Sequence, residues 1–325
     1  MSADSDTPDL TGSRRGLQQV MDSTSTAVFA VCAAVTLLTT LAIFATLLSS
    51  SLDFFSAVQI TDFLFGRDWS PNPLGKGELF GIIPLIIGTL TVTITAAFIA
   101  IPIGTLTAIY LSEYASPRLR SVLKPMLEIL AGIPTVVYGY FALVYVTPLF
   151  KATLFPNLNT FNAFSASLMI GIMTIPMVSS ISEDAMSAVP DELRNAGYGL
   201  GATKFEVSTS IVVPAAISGI VSSYILAVSR AIGETMIVVV AMGSQARIPD
   251  VREVAGVIPY VHPADVLFES GMTITVAMVE IAGSDLTGGT TPYDAMFALG
   301  LALFIVTLIL NVISDIIAKR YREEY

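Results

Sequence analysis

Two ionisable residues stand inside an apolar stretch of this 325-residue chain, Arg230 and Glu234 in "SRAIGETMIV". Spaced i, i+4, they would share one face of a helix and could pair across a turn. Ala227, Ser223 and Gly219 continue that face backward as a small or polar stripe rather than a lipid-facing one. Counting ~1.5 Å per residue from Pro214 puts Arg230 about 24 Å along such a helix, in the middle or outer half of a membrane. An Arg there costs several kcal/mol unless it is paired and faces a bundle interior or a wet cavity. Its forked donors suit an oxyanion, although Glu234 can already neutralise it. One reading is a substrate-path or gating charge; the other is a static pair that locks helix packing.

A second polar group lies in "GIPTVVYGY", Gly132 to Tyr140. Pro134 frees backbone groups in a helix, Thr135 can supply a hydroxyl to them, and Tyr138 offers a polar tip in an apolar setting. Pore lining and a kinked packing helix with small residues at its contacts both fit. Elsewhere chemistry is sparse. His262, the single histidine, stands beside Pro263 and reads as a solvated loop residue. Asp265, Glu269 and Glu280 read as a solvated acidic surface, or as one that meets a binding protein. No Cys/His or paired-carboxylate metal spacing appears, and Cys32 alone allows no intrachain disulfide. A membrane-embedded enzyme such as a lipid phosphatase would need clustered catalytic groups. The chain has no G-x-x-x-x-G-K-[ST] phosphate loop, so ATP hydrolysis must come from elsewhere.

Over residues 183–214 the chain turns charged and Gly-punctuated, with apolar segments on both flanks. Pro190 can open a helix because its missing N–H is an orphan there anyway. Asp191 and Glu192 then sit near the positive end of the helix dipole. Gly201 ends that short helix after about three turns, and residues 202–205 start the next element. Such a polar elbow between two membrane segments is a docking surface for a soluble partner on one reading, and an ordinary connecting loop on the other.

These groups need an apolar frame, and the composition supplies one. Hydrophobic residues make up 54% and charged residues 13% of the chain, with mean hydropathy +0.75, which is the integral-membrane class. A net charge of −10 argues against nucleic acid as a partner. The acidic excess fits a high-salt organism and an acidic mesophile protein equally well. Residues 1–22 are polar and expected as a disordered tail. The first apolar run, Ser23–Leu52, is far longer than a signal-peptide core of about 7–15 residues, so it is expected to span. The second helix is expected within Leu79–Ser112, with Pro102 and Gly104 inside, and the third over Ile129–Phe150 after the turn "EYASPRLRSVLK". The fourth falls within Phe164–Ile181, the fifth follows the elbow, and the sixth covers Ala295–Ser314. Residues 53–78, 151–163 and 244–291 are the outer connections, and Trp69 and its neighbouring Phe residues suit an interfacial belt. The uncharged run Ser270–Val279 is too short to cross ~30 Å, so it is an outer loop or a re-entrant piece. The expected fold is all-α and integral to the lipid bilayer, with one six-helix domain over residues 23–325.

Six helices place both termini on one side. That face carries Arg14, Arg15, Arg118, Arg120, Lys124, Arg194, Lys204, Lys319, Arg320 and Arg322; the other carries Arg67, Lys76, Lys151, Arg247 and Arg252. The excess of Lys and Arg puts both termini and the elbow in the cytoplasm.

The elbow's spacing also carries a resemblance. Asn195, Ala196 and Gly197, three residues, Gly201, nine residues, Ile211, one residue, Val213 and Pro214 is similar to the EAA loop of ABC-importer permeases, E-A-A, x3, G, x9, I, x, L, P. Asn195 stands for the Glu, Gly197 for the second Ala and Val213 for the Leu. With "GIPTVVYG", "SRAIGETMIV", "GTL" at Gly88–Leu90 and "AIYLSEYA" at Ala108–Ala115, the chain resembles the phosphate-specific ABC importer permeases from its first helix to its last. "FLFGRDWSPN" is more similar to the C-type than to the A-type subunit. The resemblance implies the six-helix MetI-like core of type I importers and a heterodimer with an A-type permease. It further implies two ATPase subunits, which bind ATP and Mg, an extracytoplasmic phosphate-binding protein, and no cofactor in this chain. Arg230 and Glu234 would serve phosphate passage, with Thr135 and Tyr138 as further candidates for the path. Asn195, Ala196, Gly197, Gly201, Ala202 and Pro214 would couple to the ATPases. A permease for a sulfate- or molybdate-type oxyanion, or the A-type phosphate permease subunit, is an alternative. An ion-coupled secondary transporter would also carry a buried Arg–Glu pair, but it leaves the elbow unexplained.

Overall fold

Apolar runs set the helices, and Pro, Gly and short polar turns set where they break. The computed structural model describes residues 11–71, 78–249, 251–254, 258–284 and 288–320. α1 (Thr11–Ala57) contains the first apolar run and starts before it. The tail expected over residues 1–22 is therefore helical from Thr11, and residues 1–10 lie outside the described residues. Arg14, Arg15, Leu17, Gln18, Gln19 and Met21 are good helix formers, and extending a nucleated helix costs little. α2 (Ile60–Phe65) and the antiparallel pair β1 (Trp69–Ser70) and β2 (Leu79–Phe80) follow. Trp69, expected in an interfacial belt, packs edge-on against Phe80, Phe80 against Phe54, and Phe54 against Phe63. Edge-to-face rings bury a large apolar area and add favourable quadrupole contacts.

α3 (Ile83–Ile109), which contains Pro102, runs on into a π-helical turn at Tyr110–Tyr114. α4 (Pro117–Ala131) occupies most of what was expected as a turn. The Ser116 hydroxyl accepts from the Leu119 N–H at 3.3 Å, and Pro117 suits the first helical position. The third apolar run is accordingly split at residues 132–134. Beyond the split lie α5 (Thr135–Phe141), a π-helical turn at Ala142–Val146 and α6 (Thr147–Thr153). α7 (Ala163–Ser187), capped by Asn162, outlasts its apolar run and holds Glu183 and Asp184 in its last turns. The elbow comprises α8 (Asp191–Gly199), α9 (Lys204–Val207), a π-helical turn at Ser208–Val212 and α10 (Val213–Ala215). α11 (Ile217–Ile232) leaves at a 72° bend, and α12 (Met236–Ala241) follows a second break. The antiparallel pair β3 (Val251–Val254) and β4 (Ile258–Val261), then α13 (Pro263–Leu267), α14 (Ile274–Ala282) and α15 (Thr291–Arg320), complete the described chain.

Five segments are long and apolar enough to cross a membrane, and a sixth is reached if the pair bent at Ala216, whose longer arm is Ile217–Ile232, is counted as one span. α3 and α7 pack along their length. A Cβ added at Gly104 would lie 2.6 Å from Val178 Cβ, and one at Gly171 would lie 3.0 Å from Ile99 Cβ. Small residues are what allow two membrane helices to approach so closely. α11 packs against α7, α3 and α15, while α15 also covers α1 and α14. The run Ser270–Val279 is drawn into the protein: Ile274, Val276 and Ala277 join the main core, and the Met272 carbonyl abuts Gly88. A separate, smaller apolar cluster lies at the elbow, built from Ala108, Met186, Val189, Val207, Val212, Ala216 and Ile220.

Candidate functional site

The elbow is organised by one cap and one glycine. Gly201 has φ +86°, a left-handed conformation that only Gly adopts without cost, and it ends α8 as its spacing predicted. Thr203 then opens α9 with a capping box. Its backbone N–H and its hydroxyl donate to Glu206 Oε2 at 2.7 and 2.8 Å and hold that carboxyl below its ordinary range. Gly197 is buried beneath Ile211 and Val207, where an added Cβ would lie 2.6 Å from Ile211 Cδ1. Asn195, Ala196 and Pro214 are exposed and Ala202 is half-buried. Leu200 and Phe205 flank Gly201 at 90% and 67% exposure, so the elbow presents bare apolar side chains among polar ones. Such a rimmed apolar patch marks an interaction surface.

Two ionic groups that spacing alone did not single out fasten this surface. The Arg194 guanidinium donates to Glu113 Oε1 at 3.0 Å, Val189 O at 2.6 Å and Met186 O at 2.8 Å. Nearby, the Lys204 ammonium lies 5.0 Å from the centre of the Tyr114 ring. Glu183, read from sequence as the start of the elbow, is a fully buried residue of α7 that pairs with Arg120 and with Lys124, the latter at 2.8 Å. Its partners lie about sixty positions away on α4, beyond the reach of any local spacing rule.

The expected Arg230–Glu234 pair does not form. α11 ends at Ile232, so the helical i, i+4 relation is broken before Glu234 is reached. Gly233 and Thr235, poor residues for a helix interior, explain the break. Arg230 is exposed on the last turn of α11, where its charge complements the dipole, and among the described residues Nη2 reaches only Met173 Sδ, at 3.9 Å. Measured from the bend at Ala216, it lies about 20 Å along the helix rather than 24 Å. The stripe behind it is a packing face. Ser223 and Ala227 are buried, with the Ser223 hydroxyl 2.8 Å from that of Ser182, and Gly219 lies against Ala185.

Glu234 turns the other way. It is buried, and its Oε1 accepts from the Ile237 N–H at 3.3 Å at the start of α12. Its carbonyl accepts from Thr275 Oγ1 at 3.1 Å, Thr275 meets Thr273 at 3.0 Å, and Thr89 Oγ1 accepts from the Ile274 N–H at 3.1 Å. This chain of hydroxyls ties α3, α14 and α12 together. Thr93, one turn beyond Thr89, is buried with an unpartnered hydroxyl.

The "GIPTVVYGY" segment is likewise a breakpoint with a different repair. Tyr138 is buried and donates to the Leu130 carbonyl at 2.7 Å, across the break. The hydroxyl expected to do this, that of Thr135, makes no such bond: Thr135 is half-buried at the first position of α5. Tyr138 reaches farther, and its ring fills apolar space on the way. His262 is exposed and caps α13, its Nδ1 accepting from the Ala264 N–H at 3.2 Å. Glu269 is ion-paired to Arg247 rather than free in an acidic surface.

With five or six spans and a capped helical elbow bearing bare Leu and Phe, the chain is a permease subunit of an ABC importer, as its family and relatives show. Residues 100–323 match the family described as the inner membrane component of binding-protein-dependent transport systems. The phosphate transport system permease protein PstC of Pasteurella multocida is 30% identical, over 87% of each chain. PstA 1 of Mycobacterium tuberculosis, also a phosphate transport system permease protein, is 38% identical over 50% of this chain and 51% of its own. A bacterial alginate ABC transporter, solved with its pentasaccharide-bound periplasmic protein, shares the fold at TM-score 0.61 and 13% identity, covering 92% of this chain and 96% of that one. The chain belongs to the inner membrane components of binding-protein-dependent transport systems and, within them, to the PstC family of permeases. It is a multi-pass cell-membrane protein.

Proposed function

We propose that the chain forms half of the path through which an ATP-driven importer moves phosphate, with an A-type permease forming the other half. Two ATPase subunits holding ATP and Mg dock on the elbow, and an extracytoplasmic phosphate-binding protein delivers the substrate. Both termini and the elbow face the cytoplasm, as the excess of Lys and Arg on that side favours. The observation that carries the phosphate reading is the state of Arg230. It is exposed on a membrane helix, and among the described residues no carboxylate neutralises it, since Glu234 turns away into the α12 start. An unpaired Arg in a span is tolerated only towards a wet cavity or a partner chain, and its fork is suited to an oxyanion. The PstC and PstA relatives are named for phosphate transport, which supports the same substrate.

Labelled phosphate uptake in cells lacking other phosphate importers tests this, comparing the native chain with Arg230→Gln at matched membrane levels. The expected result is loss of uptake with the complex still assembled. Full uptake by the variant would remove Arg230 from the path. No phosphate uptake by the native chain with all its partners would shift the substrate to a sulfate- or molybdate-type oxyanion.

A further inference from the structure

The Arg194 guanidinium is the most heavily engaged polar group at the elbow. Its side chain is 14% exposed and that of Glu113 is 5% exposed, so this is a largely desolvated pair at a protein surface. One guanidinium meets three elements at once. It donates to Glu113 in the π-helical turn that ends α3, to the Met186 carbonyl in the last turn of α7, and to the Val189 carbonyl between α7 and α8. It also meets Asp191 Oδ1 at 3.2 Å in the first turn of its own helix. The Met186 carbonyl belongs to the C-terminus of α7, where the last four carbonyls lack an i+4 partner, and the Val189 carbonyl lies just beyond it. The π-helical turn inserts an extra residue into each hydrogen-bonded ring and so re-aims Glu113; such bulges frequently sit at functional positions.

We propose that Arg194 is a positioning residue for transport: a fixed joint through which displacement of α8 is passed to α3 and α7 together. The proposal rests on the docking reading of the elbow given above. The joint needs the planar fork. A lysine keeps the charge opposite Glu113 but cannot bridge a carboxylate and two carbonyls at fixed angles. Without the joint, α8 is held mainly by apolar contacts of Leu193 and Gly197 with the elbow core, which allow sliding.

The test uses the whole importer, purified with its partner permease, ATPases and binding protein and reconstituted in vesicles, with Arg194→Gln, Arg194→Lys and Glu113→Gln in this chain. Phosphate taken up and ATP hydrolysed are measured in the same vesicles, together with the amount of ATPase that co-purifies. The expected outcome is normal ATPase content, continued hydrolysis, and phosphate moved per ATP down about tenfold or more in Arg194→Gln, in line with loss of several charged hydrogen bonds. Arg194→Lys should recover only a minor part of this, and Glu113→Gln should fall between. An unchanged phosphate-to-ATP ratio in assembled Arg194→Gln and Glu113→Gln complexes would overturn the joint. So would full recovery by Arg194→Lys, because charge alone would then suffice. Loss of the ATPases from both variants would overturn it too, by making the pair an assembly contact. Phe205→Asp separates the underlying reading: if the ATPases still co-purify with that variant, docking at the elbow is wrong whatever Arg194 does.

Discussion

Gly201 offers a measurement in which the steric and conformational costs of a side chain separate. A Cβ added there meets nothing within 4 Å, so space is not limiting. Its φ of +86° is the whole obstacle. An L-residue in a left-handed conformation costs roughly 1–2 kcal/mol, and Asn carries the smallest penalty because its short polar side chain bonds locally. With each ~1.4 kcal/mol worth a factor of ten, Gly201→Ala should lower the population of the native elbow about five- to thirtyfold relative to alternatives. Gly201→Val should do worse, since β-branched residues are true outliers at positive φ. The assay is uptake per ATP hydrolysed in reconstituted vesicles, at matched insertion, across Gly, Asn, Ala and Val. The ordering Gly, then Asn, then Ala, then Val is expected, with uptake and hydrolysis uncoupled in the Val variant while insertion is normal. Normal coupling by Val, or equal damage by Asn and Val, would refute the reasoning.

Four further outcomes follow from the packing. Tyr138→Phe removes the donor to the Leu130 carbonyl and should lower the stability of the purified complex by about 1–3 kcal/mol, read as a drop in its thermal midpoint. Thr93→Val deletes a buried hydroxyl that has no partner while keeping its shape, so the midpoint should stay or rise. Gly104→Ala forces a methyl against Val178 Cβ and should cost about 1–3 kcal/mol, whereas Gly197→Ala meets mainly the flexible tip of Ile211 and should be mild. The Glu206 carboxyl titrates below its unfolded value. Its contribution to the α9 cap is therefore complete above the ordinary Glu pKa of about 4.3 and lost as pH falls through the lower folded value. Hydrogen exchange at the amides of residues 203–207 should accelerate only in that acidic window, and Thr203→Ala should abolish the transition.

Much of the elbow was legible because its signals are local. Pro190, Asp191, Glu192 and Gly201 act on their own backbone, and the α8–turn–α9 geometry follows from them directly. The spans were legible for the same reason, since an apolar run long enough to cross has few alternatives. The Arg230–Glu234 pair was misjudged because its spacing presumes an unbroken helix, and Gly233 and Thr235 end that helix between them. The helical character of "SPRLRSVLK" was hidden by its charges, although Ser116 and Pro117 are a good helix start. Tertiary pairs such as Arg194 with Glu113 and Lys124 with Glu183 leave no periodic trace, being separated by 81 and 59 positions.

The two apolar clusters of this chain do not touch through their cores. Ala100 of α3, Val178 of α7 and Ala227 of α11 are buried yet belong to neither cluster. Two hydroxyl pairs tie α11 to its neighbours: Thr105 to Tyr224 at 2.7 Å and Ser182 to Ser223 at 2.8 Å. Interhelical hydrogen bonds of that kind are worth only about 0.6 kcal/mol each on average within a bilayer. The two apolar clusters are thus bridged by three closely packed helices, α3, α7 and α11, whose cross-helix polar contacts are individually weak.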